Sequence, residues 1–255
     1  MAKSIRVGLL LFVLATVAAG AWHKRTLIQS WERSLDVVVY PINGDGREAT
    51  TAYMASLSSA SFASIAEFMR NEARRHGLAL ANPVGVKLGP QVVSVPPPSP
   101  RRGKAPEIIL WSLRLRFWAW RNDAYAGPKP DVHVFAVYFD PGAKHQVEHS
   151  IGLKEGQIGI ANVFAAPHMS EENNVIIAHE ILHTFGATDK YDAATSQPLY
   201  PDGYADPGQT PLYPQRFAEI MGGRIPLSET QAETPRALDL AIIGDRTATE
   251  IHWRL

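Results

Sequence analysis

The chain has 255 residues, 45% of them hydrophobic, and its 25 Lys plus Arg balance 25 Asp plus Glu for a formal net charge of zero. That length is ample for one sizeable core and marginal for two, and the charge balance gives no support to nucleic-acid binding or to electrostatic adsorption on a membrane. The absence of cysteine excludes disulfides, thiolate zinc fingers and cysteine catalysis, so any metal must be held by nitrogen and oxygen.

Lys3 and Arg6 precede an apolar run over residues 7–22, within which Ala19-Gly20-Ala21 resembles an export cleavage site. The run is a little short for a span of about twenty residues. His23, Lys24 and Arg25 follow at once, and positive charge there hinders processing. Residues 1–25 are therefore expected to be a signal peptide or an uncleaved N-terminal membrane anchor, the anchor being favoured. Residues 26–255 would then form one domain outside the cytoplasm, membrane-anchored, or secreted or periplasmic if the signal is removed.

Within that domain, residues 35–42 read as a buried strand ended by the turn Asn43-Gly44-Asp45-Gly46. Residues 56–76 have Phe62, Ile65, Ala66 and Met69 at helical spacing, with charged residues off that face. Residues 84–95 have room for one or two strands. The Pro-rich stretch 96–104 reads as an exposed internal loop. Residues 108–121 are ambiguous: the second half alternates like a strand, whereas Ile108, Trp111, Leu115 and Trp118 fall at helical spacing, and helix is the reading adopted. The interleaved Arg and Trp suit glycan, lipid or nucleic-acid contact, but core packing under arginine stems is the favoured alternative. Residues 131–139 form a strand, and 151–164 a turn and a strand near the sheet edge. Residues 198–214, rich in Pro, Tyr, Asp and Gly, should be a long loop over the site. A last helix is expected from Thr234 or Pro235 to Gly244.

The chemistry is concentrated in His179-Glu180-Ile181-Leu182-His183-Thr184-Phe185-Gly186-Ala187-Thr188-Asp189. Residues four apart share a helix face, so His179 and His183 can offer two imidazoles to one ion, with Glu180 beside them as a base. Catalytic zinc takes three protein ligands and keeps a fourth position open. Asp189 is the candidate third ligand, because Gly186 can end the helix and fold the chain back. Ser170 is the expected N-cap, followed by Glu171 and Glu172 where carboxylates suit the helix dipole. Placing two imidazoles and a carboxylate in so apolar a helix costs several kcal/mol unless a metal or hydrogen bonds satisfy them.

This string resembles the metzincin-type zinc peptidases, in the variant where Asp replaces the third His, as in the snapalysin-like enzymes. The resemblance implies an α/β (α+β) domain with a twisted mixed sheet, an active-site helix beneath it and a smaller C-terminal part closing the cleft. It also implies one catalytic Zn2+ on His179, His183 and Asp189, with Glu180 as general base, and a protein or peptide substrate. The stretch 218–224 looks like that clan's methionine turn, with Met221 beneath the metal. An edge strand above the metal, assigned to residues 158–162 with a core position as the alternative, would pair with extended substrate. No Tyr follows Met221 closely, so Tyr191 and Tyr204 become the candidates for steadying the oxyanion.

A competing reading is a non-catalytic envelope module with structural zinc, where Asp192, Glu219 or His168 would supply a fourth ligand. A zinc amidase acting on cell-wall peptide would use the same triad. His23, His76, His145, His149 and His252 read as surface residues, His133 as a strand residue, and His168 as a residue able to approach the cleft.

Overall fold

Period-two alternation in the first strand, β1 (Leu35–Asn43), sets the layers. Leu35, Val37 and Val39 face one way, Val38, Tyr40 and Ile42 the other, and all six are buried. A strand buried on both faces needs a layer on each, which is the situation of parallel sheets. The computed structural model describes residues 26, 28–100, 104–144, 150–153 and 157–254. The expected signal or anchor, 1–25, lies outside the described residues, as do His23, His145 and His149. Among those described, no helix is long and apolar enough to cross a membrane.

The chain is a mixed α/β protein built on a five-stranded sheet. After β1 come α1 (Glu48–Ala55), α2 (Ala63–Arg75), β2 (Val84–Leu88), α3 (Ala105–Asn122), β3 (Val132–Phe139), β4 (Ile151–Leu153), β5 (Ile158–Phe164) and α4 (Ser170–Phe185). The order across the sheet is β2-β1-β3-β5-β4. The first four strands are mutually parallel, and β4 pairs antiparallel with β5. Crossovers between the parallel strands place helices on the two faces. On one face, Ile65 and Met69 of α2 and Ala178, Ile181 and Leu182 of α4 pack over Val37, Val39, Val134 and Ala136. On the other, Trp111, Leu115 and Ala119 of α3 pack over Val38, Tyr40, Phe135 and Ile160.

The expected helix over 108–121 is thus present as α3. The Pro-rich loop before it is held down where Trp111 donates its indole N–H to the Pro97 carbonyl at 3.0 Å. The region 56–76 begins as a 3-10 turn (Ser59–Phe62) before continuing as α2. Residues 158–162, expected at the edge, lie in β5, whose two sides are taken by β3 and β4; the edge strand is β4. His76 is not a surface residue: its side chain is 3% exposed, and its Nε2 lies 2.7 Å from the Ile243 carbonyl.

The C-terminal part departs most from expectation. Beyond the main sheet, β6 (Ala218–Glu219) pairs in parallel with β9 (Ala241–Ile242), and β7 (Ile225–Pro226) pairs with β8 (Ala232–Glu233). Leu238–Leu240 is a 3-10 turn, and the final helix α5 (Asp245–Glu250) starts after Gly244 instead of ending there. Buried carboxylates explain the shift. Ile243 N–H donates to Glu72 at 2.6 Å and Gly244 N–H to Glu219 at 3.0 Å, so these backbone donors are withdrawn from any helix ladder.

Candidate metal centre

Helix α4 carries the first part of the site. Ser170 is its first residue rather than its cap, because a 3-10 turn (Pro167–Met169) leads in, and the N-cap position falls on Met169. The sheet-facing side is apolar, and His179 and His183, one turn apart, stand with ring centroids 4.7 Å apart at 85°. Ligand atoms of His179, Glu180 and His183 all lie within 4.8 Å of one another.

The helix ends at Gly186, in the left-handed region at φ 120°. Gly186 N–H bonds back to Leu182 and His183, and Ala187 N–H to Leu182, which satisfies the last carbonyls. One turn therefore performs two tasks. It sets the Ala187 carbonyl 2.9 Å from His183 Nδ1, and it returns Asp189 across the front of the histidines. Asp189 Oδ1 lies 3.1 Å from Nε2 of His179 and 3.1 Å from Nε2 of His183. Ligands about 2.1 Å from a tetrahedral zinc stand about 3.4 Å apart, so both histidine–aspartate separations are already near the spacing of a coordination shell.

The other ring nitrogens fix the tautomers. His179 Nδ1 lies 2.9 Å from the Ile220 carbonyl, and His183 Nδ1 has Ala187. Each Nδ1 donates its proton to a carbonyl, so Nε2 is the nitrogen of each ring that faces Asp189, donating to it without a metal and freed to coordinate one in its place; this backing is usual for metal-binding histidines. The histidine side chains are 13% and 14% exposed and Asp189 is 44% exposed, so the cluster opens to solvent on the Asp189 side.

Charge follows this geometry. Burial opposes ionisation of Asp189, but hydrogen bonds from His179 and His183 outweigh it and hold the carboxyl well below the usual range. Burial would lower His179, yet Asp189 and the charge of Glu180 push it up to about 9 without a metal. Burial pushes Glu180 up to about 7, partly offset by the two histidines. Glu180 is buried, and its Oε2 has no hydrogen-bond partner among the described residues. A buried polar atom without a partner is rare, and here it belongs to the acid flanking the histidines. The nitrogen and oxygen donor set and this orphaned oxygen fit a divalent ion such as zinc with a water beside it.

Met221 is fully buried in a tight turn closed by hydrogen bonds from Gly222 and Gly223 N–H to the Glu219 carbonyl, with Gly223 at φ 71°. Glu219, also fully buried, holds the turn with its carboxylate. It accepts from Gly222 N–H at 2.8 Å, Gly244 N–H at 3.0 Å and Thr247 Oγ1 at 2.6 Å. The turn meets the cluster twice, through Ile220 O at His179 and through Lys190 N–H donating to Met221 O at 2.9 Å.

Of the two tyrosines, the fold brings Tyr191 to the cluster, its ring centroid 6.3 Å from His179. Burial, with Asp189 and Glu180 nearby, pushes its phenol up to about 12, so it remains a proton donor at neutral pH. Tyr204 instead pairs its hydroxyl with that of Tyr213 at 2.8 Å. The candidate fourth ligands are engaged elsewhere or exposed. Glu219 holds the turn at Met221, Asp192 caps its own turn at Ala194 and Thr195, and His168 is exposed.

Two positioning residues had no sequence signal. Glu250 of α5 accepts from Thr188 N–H at 2.9 Å and from Lys190 Nζ at 2.9 Å, bracketing Asp189 from both sides. Lys190 is itself buried and also donates to the Thr188 carbonyl. A Thr-x-Lys around a candidate ligand is unremarkable in sequence; only the fold shows that one distant carboxylate holds both. No family model matches the chain, and no curated protein matches it.

Proposed function

We propose that the protein is a metzincin-like zinc endopeptidase acting outside the cytoplasm, with His179, His183 and Asp189 holding the ion. The observation that carries this reading is the convergence of two histidine Nε2 atoms on one Asp189 oxygen, beside the partnerless Glu180 oxygen. Zinc bound there would supply a Lewis acid and bring the pKa of water from about 15.7 toward about 7. Glu180 then takes a proton from the attacking water and passes it to the leaving amine nitrogen. Tyr191 donates its phenolic proton in a hydrogen bond to the carbonyl oxygen as charge develops there. Ile220 and Ala187 keep both imidazoles oriented throughout. Extended substrate would add to the sheet along β4.

A zinc amidase acting on cell-wall peptide would use the same residues and differ only in its cleft. A structural zinc in a binding module is disfavoured, because the candidate fourth ligands are engaged elsewhere or exposed and a structural site has no use for Glu180. The test is metal content and casein cleavage for wild type and Asp189→Ala. One zinc per chain, lost together with activity in the variant, supports the triad. Full zinc retention in Asp189→Ala would place the third ligand elsewhere, and a properly folded wild type without zinc would return the binding module to first place.

A further inference from the structure

Helix α3 is apolar on two opposite sides. Trp111, Leu115 and Ala119 enter the core, while Ile109, Leu113, Phe117 and Trp120 form a second stripe facing away from the sheet. The outer residues range from 54% exposed at Leu113 to 73% at Trp120, and Leu110 widens the stripe. At 1.5 Å per residue this surface runs about 16 Å along the helix. Scattered exposed apolar residues are ordinary, whereas a continuous stripe of this kind marks a contact surface.

The rim of the stripe selects the partner. At 100° per residue, Arg114 and Arg121 flank one side of it and Arg116 the other, and no acidic residue occurs between Ile108 and Arg121. Glu107 caps the helix start, accepting from Lys104 N–H at 3.1 Å. The chain's zero net charge therefore conceals a local cationic surface. Two copies meeting through this stripe would oppose arginine to arginine with no acid to pair them. An anionic bilayer satisfies both features: aromatic and aliphatic side chains enter the headgroup boundary, and arginines meet lipid phosphates. With Glu107 and three arginines in its 18 residues, α3 suits lying on a membrane and not crossing it.

We infer that α3 is a membrane-surface docking helix that inserts its outer stripe into anionic phospholipid. This surface is independent of the metal centre and of any attachment through residues 1–25. Because the chain has no cysteine, Leu113→Cys in the full-length protein carries an environment-sensitive fluorophore that reports on the stripe alone, and Glu229→Cys serves as an exposed control. Phosphatidylcholine vesicles containing phosphatidylglycerol should raise and blue-shift emission at position 113 by about two-fold or more, with little change at 229. Pure phosphatidylcholine should do far less. Adding Arg114→Gln and Arg121→Gln should raise the lipid concentration needed for half the response about 25-fold, at about five-fold per arginine. No response at 113 with anionic vesicles would overturn the inference, even if the protein attached by its N-terminus. Equal responses to both lipids, insensitive to the arginines, would also overturn it. So would a response without vesicles that grows with protein concentration, which would make the stripe a self-association surface.

Discussion

A carboxylate as enclosed as that of Glu180 resists ionisation, and its partnerless oxygen is the atom a general base must keep free. Glu180→Gln preserves shape and removes the proposed base. Turnover should fall by about 10²–10⁴-fold with zinc content unchanged, measured by peptide cleavage alongside metal analysis. Retained activity would sink the assignment. Gly186 acts through the backbone: at φ 120° a side chain is strained, and Gly186→Ala should cost about 1–2 kcal/mol. Since the same turn places Ala187 and Asp189, zinc affinity should fall with stability. A variant that loses stability but binds zinc as tightly as wild type would show that the turn does not position the ligand.

Among the elements, α5 has the longest reach, because Glu250 ties Thr188 and Lys190 around Asp189, the proposed third ligand. Lys190 and Glu250 are 5% and 15% exposed, so Glu250→Ala leaves a buried ammonium unpaired and should cost about 3 kcal/mol. The pH dependence has a definite sign. Burial would raise Glu250, but Lys190 and Thr188 hold its pKa below the usual value, so the unfolded chain binds more protons than the folded one in the acid range. Its contribution is present above the unfolded carboxylate pKa and is lost as pH falls through the folded one. The melting-temperature gap between wild type and Glu250→Ala should be full at pH 7 and narrow below about pH 4.5; a gap constant with pH would contradict this. Such links explain what the sequence could and could not disclose. The helix α4, its terminal Gly186 and the returning Asp189 are local and were legible as spacing. The inner stripe of α3 revealed its helix but not that its opposite face is uncovered. Helix α1 buries only Thr50 and Met54, leaving no apolar stripe to detect. Gly244 looked like a helix end because Glu219 and Glu72, distant in sequence, claim the backbone donors around it. The edge was misassigned because β4 has only three residues, too few for a pattern.

For the whole molecule, a bound ion adds to folding stability through mass action. Free zinc at a thousand times its dissociation constant adds about 4 kcal/mol, equivalent to about 10 °C in a domain of this size. Chelation should lower the melting temperature of wild type by that order and leave Asp189→Ala nearly unmoved; equal shifts in both would locate the ion elsewhere. The two imidazoles also differ in how far away their backing carbonyls lie. His183 is backed by a residue four positions on, and His179 by one 41 positions away. A helix and its terminal turn can form within about a microsecond, whereas the Ile220 carbonyl arrives only when the C-terminal part docks. During refolding the candidate site is thus assembled in two stages, with His183 oriented early by Ala187, and His179 and Asp189 fixed late, when Ile220, Met221 and Glu250 arrive. Zinc supplied at the start should speed the late stage, and zinc supplied afterwards should not.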